Sequence, residues 1–221
     1  MLLKNSKPYR LNPFEILPSD RYFIVGQTGT GKSEYSKRLI SQVRSRLLII
    51  DPKHLFKPLQ AHKVTDNLER IPSISRRNVV VYRPPVDVLD DMRELDRVFK
   101  WVYLWGDCTL YIDELALVVK NSVTYPAYLK ALYMQGREKR IAVISSTQRP
   151  ANVPRFCVSE STVFAKFFLN LRDDQERMSE QMGSAVLEPK AFPKEKLHSG
   201  KHTFFYFRNG MNAPLEYEYS L

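Results

Sequence analysis

Eight residues constrain this chain more than any others. Gly26-Gln27-Thr28-Gly29-Thr30-Gly31-Lys32-Ser33 fits the pattern G-x-x-x-x-G-K-[ST] at every fixed position. The octapeptide follows the apolar run Tyr22–Val25. It precedes residues 32–44, where Tyr35, Leu39, Ile40 and Val43 share one helical face. A strand that turns on glycines into a helix brings backbone N–H groups together at the positive end of the helix dipole, which makes a phosphate cradle. Glycine is scarce, with 8 in the chain, yet Gly26, Gly29 and Gly31 fall within six positions, as a backbone that bends tightly around something requires. Lys32 is placed to bridge β- and γ-phosphates, and the Ser33 hydroxyl to ligate magnesium, so the segment predicts ATP with Mg2+. A ligand-free Gly-rich turn is the alternative, and the flanking strand and helix argue against it.

The same alternation continues downstream. Leu47–Ile50, Val79–Tyr82, Thr109–Ile112, Ile141–Ser145 and Thr162–Phe168 read as strands. Residues 87–104 predict one amphipathic helix capped by Asp87, with Leu89, Met92, Leu95, Phe99 and Val102 at helical spacing. Residues 126–138 and Asp173–Met182 predict two more helices. The stretch 57–77 is polar and ambiguous. His202–Arg208, Asn209-Gly210 and Leu215–Tyr219 predict a hairpin with an irregular return arm. Apolar strands alternating with helices call for an α/β fold, a mainly parallel sheet covered on both faces, with late strands added antiparallel. One domain over 1–221 is expected, with an irregular lead-in at 1–20 and a C-terminal β extension at 185–221.

Charge narrows the partners. Thirty-four Lys and Arg against 24 Asp and Glu leave a net charge of +10, which favours a polyanion such as nucleic acid. No apolar run reaches the roughly 20 residues that span a bilayer, and MLLKNSKPYR lacks a signal-peptide core. Cys108 and Cys157 are too few for a disulfide framework or a zinc site. His54, His62, His198 and His202 show no metal-ligand spacing. A soluble protein of the host cytoplasm or virion is expected.

Leu110-Tyr111-Ile112-Asp113-Glu114 is an apolar run ending in two acids. Downstream of a P-loop, Asp113 is suited to hold the magnesium shell beside Ser33, and Glu114 to polarise an attacking water as general base. Such a pair separates water-activating ATPases from many P-loop kinases.

The segment Gln135-Gly136-Arg137-Glu138-Lys139-Arg140-Ile141-Ala142-Val143-Ile144-Ser145-Ser146-Thr147-Gln148-Arg149-Pro150 resembles the FtsK–HerA superfamily of DNA-pumping ATPases. In that family a helix bearing an arginine leads into an apolar strand ending in T-Q-R-P. Asp51-Pro52-Lys53 is similar to the family's D-P-K after its second strand. Phe164-Ala165-Lys166-Phe167, followed by Asp173-Asp174, resembles its next strand and helix. The match covers residues 20–185. The resemblance implies a RecA-like P-loop NTPase fold of the ASCE class. It makes Gln148 the sensor glutamine and Arg137 an arginine finger reaching a neighbour's nucleotide. Arg140 is the alternative finger, and Arg149 a third. The family often has Gly where Arg140 stands. Cellular members of the superfamily usually carry membrane anchors, β-barrel clamps or winged-helix readers, and none is expected in 221 residues of this pattern. A stripped core of this kind is similar to the small genome-packaging ATPases of internal-membrane double-stranded DNA viruses.

The expected function is an ATP-driven double-stranded DNA translocase working as a homo-oligomeric ring, docked on a capsid or portal-vertex protein. Two alternatives stay open: an assembly or conjugation-type ATPase that does not act on DNA, and a small P-loop kinase. A DNA-pumping motor grips backbone. Val119–Thr124 and the lysines Lys190, Lys194, Lys196 and Lys201 are the candidate DNA contacts. The aromatic ending, including Phe204, Tyr206 and Tyr217, reads as packing before base stacking.

Overall fold

The computed structural model describes residues 12–73, 79–187 and 201–220. Strands β1 (Arg21–Val25), β2 (Arg46–Ile50), β3 (Lys63–Thr65), β4 (Val79–Tyr82), β5 (Cys108–Ile112), β6 (Ile141–Thr147), β7 (Val163–Lys166), β8 (Lys201–Arg208) and β9 (Leu215–Ser220) form one sheet. Their order is β3-β4-β2-β5-β6-β1-β7-β8-β9. Strands β1 to β7 pair in parallel, whereas β7–β8 and β8–β9 are antiparallel. The RecA-like α/β expectation, with extra C-terminal strands, is what the chain builds.

Side-chain alternation along the strands splits the core in two. On one face, Tyr22 and Ile24 of β1 meet Tyr35, Leu39 and Ile40 of helix α1 (Lys32–Ser41). On the other, Phe23 and Val25 join a cluster covered by four helices. After the short α2 (Val86–Asp90) come α3 (Met92–Trp105) and another short turn, α4 (Leu115–Val118). The covering helices are α3, α5 (Ala127–Gln135), α6 (Arg155–Ser159) and α7 (Arg172–Met182). Leu95, Val98, Phe99 and Val102 of α3 are all fully buried there. Truncating a side chain such as Phe99 to Ala costs about 3–5 kcal/mol in a core of this kind.

Three helix expectations need correction, the first being the helix over 32–44, which ends at Ser41 and leaves Val43 beyond it. The single helix at 87–104 is two, and Asp87 is not its cap. Asp91 adopts an extended backbone (φ −97°, ψ 101°), and its carboxylate accepts the Arg93 N–H at 2.8 Å. A short acidic side chain that can satisfy a free helical donor wins over continuing the helix. The helix expected over 126–138 ends at Gln135. Tight turns follow, in which Arg140 N–H bonds to Arg137 O and Ile141 N–H to Gly136 O, both at 3.0 Å. These turns set Arg137 and Arg140 at the amino end of β6.

The ambiguous 57–77 region contributes β3 at one sheet edge and a 3-10 turn over Leu68–Ser73. The hairpin is present as β8 and β9, and Phe204 and Tyr206 are buried in the core. Of the candidate lysines, Lys190, Lys194 and Lys196 lie outside the described residues, and Lys201 begins β8.

Register gathers the carboxyl ends of five strands along one rim. Val25 lies opposite both Thr147 and Lys166, Ile112 opposite Ser145, and Ile50 opposite Ile112. Everything that leaves the sheet at this rim, including residues 26–33, 51–53, 113–114 and 148, is therefore brought together.

Candidate active site

The loop after β1 is anchored on both neighbours. Gly26 N–H donates to Thr147 O at 3.3 Å, and Gln27 N–H to Phe168 O at 3.0 Å. Thr30 Oγ1 closes the loop on Gln27 O at 2.8 Å. A Cβ on Gly26 would stand 2.5 Å from Phe167 Cβ and 2.8 Å from Thr30 Oγ1, so no larger residue fits. Gly29 and Gly31 take positive φ, 81° and 100°, a backbone shape that L side chains resist. The loop ends in the first turn of α1, whose leading N–H groups have no carbonyl partner within the helix.

Around this loop lies a cleft of about 430 Å³, lined by residues including Gly31, Lys32, Ser33, Lys53, Asp113 and Gln148. That volume suits a small-molecule ligand. Lys32 is only 7% exposed. Burial lowers its ammonium pKa, and the nearby Glu114 and Asp113 carboxylates work against that shift. Ser33 is exposed at the mouth. Asp113 follows β5, and its Oδ1 accepts from the Tyr111 hydroxyl and from Ser146 Oγ, each at 3.0 Å. Tyr111 is fully enclosed, and burial holds its phenol protonated, well above its ordinary pKa.

Glu114 is the most constrained residue of the group. Its backbone is left-handed (φ 66°, ψ 75°), a conformation that costs a non-glycine residue on the order of 1–3 kcal/mol. The bend turns its carboxylate back into the rim. Oε2 accepts from Lys53 Nζ at 2.8 Å. Oε1 accepts from Thr147 Oγ1 at 2.8 Å and from Gln148 N–H at 3.0 Å. Burial alone would raise this carboxyl, but Lys53, Thr147 and the Gln148 amide together hold its pKa below the ordinary glutamate value. The Gln148 side chain reaches the phosphate loop, where its Oε1 accepts from Thr28 Oγ1 at 3.1 Å.

Lys32 of the phosphate loop, Lys53 beyond β2, two carboxylates and a loop-contacting glutamine thus share one rim. Of the three arginines named from sequence, Arg137 and Arg140 do not join them. Arg137 is exposed and its guanidinium has no ion pair among the described residues. Arg140, at φ 56°, pairs with Asp107 at 2.8 Å. Both sit at the amino end of β6, whose seven residues set them roughly 20 Å along the sheet from the rim. Arg149 stays at the rim but pairs with the buried Asp174 at 2.8 Å. In the Val119–Thr124 segment Val119 is buried, which removes it as a surface contact, while 120–124 are exposed. Asn121 Oδ1 there accepts from the Val123 and Thr124 amides at 2.9 and 2.7 Å.

Sequence reasoning passed over two residues at the rim. Lys53 was visible only as part of D-P-K, and its partner Glu114 lies 61 positions away. His202 lines the cleft, but nothing local to it signals that β8 would carry it there.

No family model matches the chain. The DNA packaging ATPase P9 of Enterobacteria phage PRD1 is 30% identical over 176 residues, covering 75% of this chain and 71% of P9. Among solved structures, the genome packaging NTPase B204 of Sulfolobus turreted icosahedral virus 2, in complex with AMPPCP, superposes with a TM-score of 0.69. The identity is 18%, and the match covers 91% of this chain and 98% of B204. B204 of Sulfolobus Turreted Icosahedral Virus, a DNA-packaging ATPase, gives a TM-score of 0.63 at 19% identity, covering 93% and 98%. At these identities the structural likeness speaks to fold, and the P9 relationship to descent.

Proposed function

Because the chain belongs to the viral DNA-packaging ATPases of the FtsK–HerA type, the family of P9, we propose that it hydrolyses ATP in the rim cleft to drive double-stranded DNA into a capsid. The observation that carries this reading is the convergence of Lys32, Ser33, Asp113, Glu114 and Gln148 on one cleft from three different strand ends.

Residues 26–33 bind the phosphates through backbone N–H groups, and Lys32 places its charge on the β- and γ-phosphates. Ser33 and Asp113 are hard oxygen donors that fit Mg2+. Among the described residues no group of three or more His, Cys, Asp or Glu is gathered as a metal cluster. A magnesium ion there supplies neutralisation of the charge that develops on the transferred phosphoryl group. Glu114 accepts a proton from the attacking water. Gln148, touching Thr28 on one side and Glu114 through its amide on the other, is placed to report the state of the γ-phosphate.

A site open on one side needs a cation from elsewhere, and an arginine in trans can be worth roughly 10³–10⁵ in rate. Arg137, exposed and unpaired among the described residues, is the better finger, because Arg140 is engaged by Asp107. The finger requires a homo-oligomeric ring in which one subunit's amino rim meets its neighbour's carboxyl rim. Residues 120–124, exposed beyond α4, are the DNA contact favoured within the described chain. A capsid or portal-vertex protein is the docking partner, and the host cytoplasm and virion are the places of action. No described helix is long and apolar enough to cross a membrane.

The test is phosphate release with and without duplex DNA, in wild type, Lys32→Ala and Glu114→Gln. DNA-stimulated turnover is expected in wild type. Loss of turnover is expected in both variants, with ATP still bound by Glu114→Gln. DNA-independent turnover would favour an assembly ATPase, and phosphorylation of a small acceptor a kinase.

A further inference from the structure

The C-terminal hairpin reaches the nucleotide cleft. Strand β7 ends at Lys166, which lies opposite Phe205. Since β8 runs antiparallel, its earlier residues overrun the carboxyl rim of the parallel strands and arrive beside the phosphate loop. Alternation puts His202, Phe204 and Tyr206 on the α1 face. There the Phe204 ring lies 4.8 Å from Tyr35 and 5.1 Å from Phe167. These contacts fix β8 against α1 and leave little freedom in where His202 stands. It is 7% exposed and set directly on Gly31. A Cβ on Gly31 would come within 2.4 Å of His202 Cγ and 2.6 Å of Nδ1.

Sheet order gives the cleft a polarity. Asp113, Glu114 and Gln148 leave β5 and β6 on one side of β1, whereas His202 on β8 stands on the other. A nucleotide whose γ-phosphate meets the first group across residues 26–33 must direct its other end towards β8. Resting on the nucleotide reading above, the geometry points to His202 as a binding residue for the nucleoside end of ATP. Its imidazole donates to a ribose oxygen, a hydrogen bond that neither the phosphate loop nor the carboxylates supply. The C-terminal hairpin thereby distinguishes a nucleotide from bare polyphosphate.

Calorimetric titration of the full chain with ADP, ATP in the Glu114→Gln background, and inorganic tripolyphosphate tests this. His202→Ala and His202→Phe should each weaken ADP and ATP about tenfold, the worth of one hydrogen bond to a charged or polar ligand group. Tripolyphosphate affinity should change less than twofold. His202→Phe keeps a ring on Gly31, so it separates the polar contact from packing and carries the comparison if the alanine variant fails to fold. Unchanged ADP affinity in both variants overturns the inference. So does an equal loss for ADP and tripolyphosphate, which would make His202 a prop for the loop. Wild type binding neither ligand overturns the nucleotide reading itself.

Discussion

Replacing Lys53 with Met isolates the contact that restrains Glu114. The substitution keeps most of the side chain's length and apolar stem while removing the ammonium 2.8 Å from Oε2. Glu114 is left with Thr147 Oγ1 and the Gln148 amide, both on Oε1. A hydrogen bond to a charged group is worth about 1.5–3 kcal/mol. Lys53 is 27% exposed on its side chain and Glu114 7%, so water reaches one partner and the lower half of that range, about 1.5–2 kcal/mol, is expected. The carboxyl pKa is depressed in the fold, so the stability it contributes is present above its unfolded value, ordinarily 4.5. It is lost as pH falls through the lower folded value. Lys53→Met should therefore cost its full amount at pH 7, and the gap to wild type should close below pH 4.5. Urea denaturation at several pH values, in a cycle with Glu114→Gln, measures the coupling directly. A coupling under about 0.3 kcal/mol at pH 7, within the scatter of independent sites, would refute the argument that Lys53 holds this carboxylate.

Gly26→Ala drives a methyl group into Phe167 Cβ and Thr30 Oγ1. Overpacking of this kind costs about 1–3 kcal/mol, read as a lower urea midpoint together with weaker ADP binding. Arg137→Ala should bind ATP near normally yet hydrolyse it poorly, and mixing it with Glu114→Gln should restore some turnover once subunit exchange is shown. Full DNA-stimulated activity in Arg137→Ala would turn attention to Arg140. Burial pushes the Cys108 thiol up to about 12 and the Cys157 thiol well above its usual value. Both should resist a thiol reagent at pH 8 until urea is added. Because folding favours the protonated thiols, stability should fall as pH rises beyond 9.0.

The parts legible in sequence are those whose signal is local. Residues 26–33 carry their fold in their own glycines and in the strand and helix that flank them. Asp113 and Glu114 are marked by the apolar run they terminate, and Gln148 by its T-Q-R-P setting. Local competition defeated the helix at 87–104, because Asp87 and Asp91 offer the same chemistry and only the surrounding fold selects Asp91 as the cap. Lys53 and His202 were opaque for another reason. Their neighbours at the site lie 61 and 171 positions away, and sheet register, not periodicity, brings them together.

Arg21 gives the first strand a second attachment. At the end of β1 away from the phosphate loop, its guanidinium donates to Tyr133 O at 2.6 Å, Ser19 O at 2.7 Å and Leu132 O at 3.4 Å. It thus ties off the last turn of the helix that leads to Arg137. Each end of one five-residue strand is therefore bolted to a different working part. Between them the strand is fully buried and hydrogen-bonded on both edges, so it cannot buckle. In the proposed ring, β1 acts as a connecting rod. It links the loop around the proposed nucleotide directly to the corner that carries Arg137.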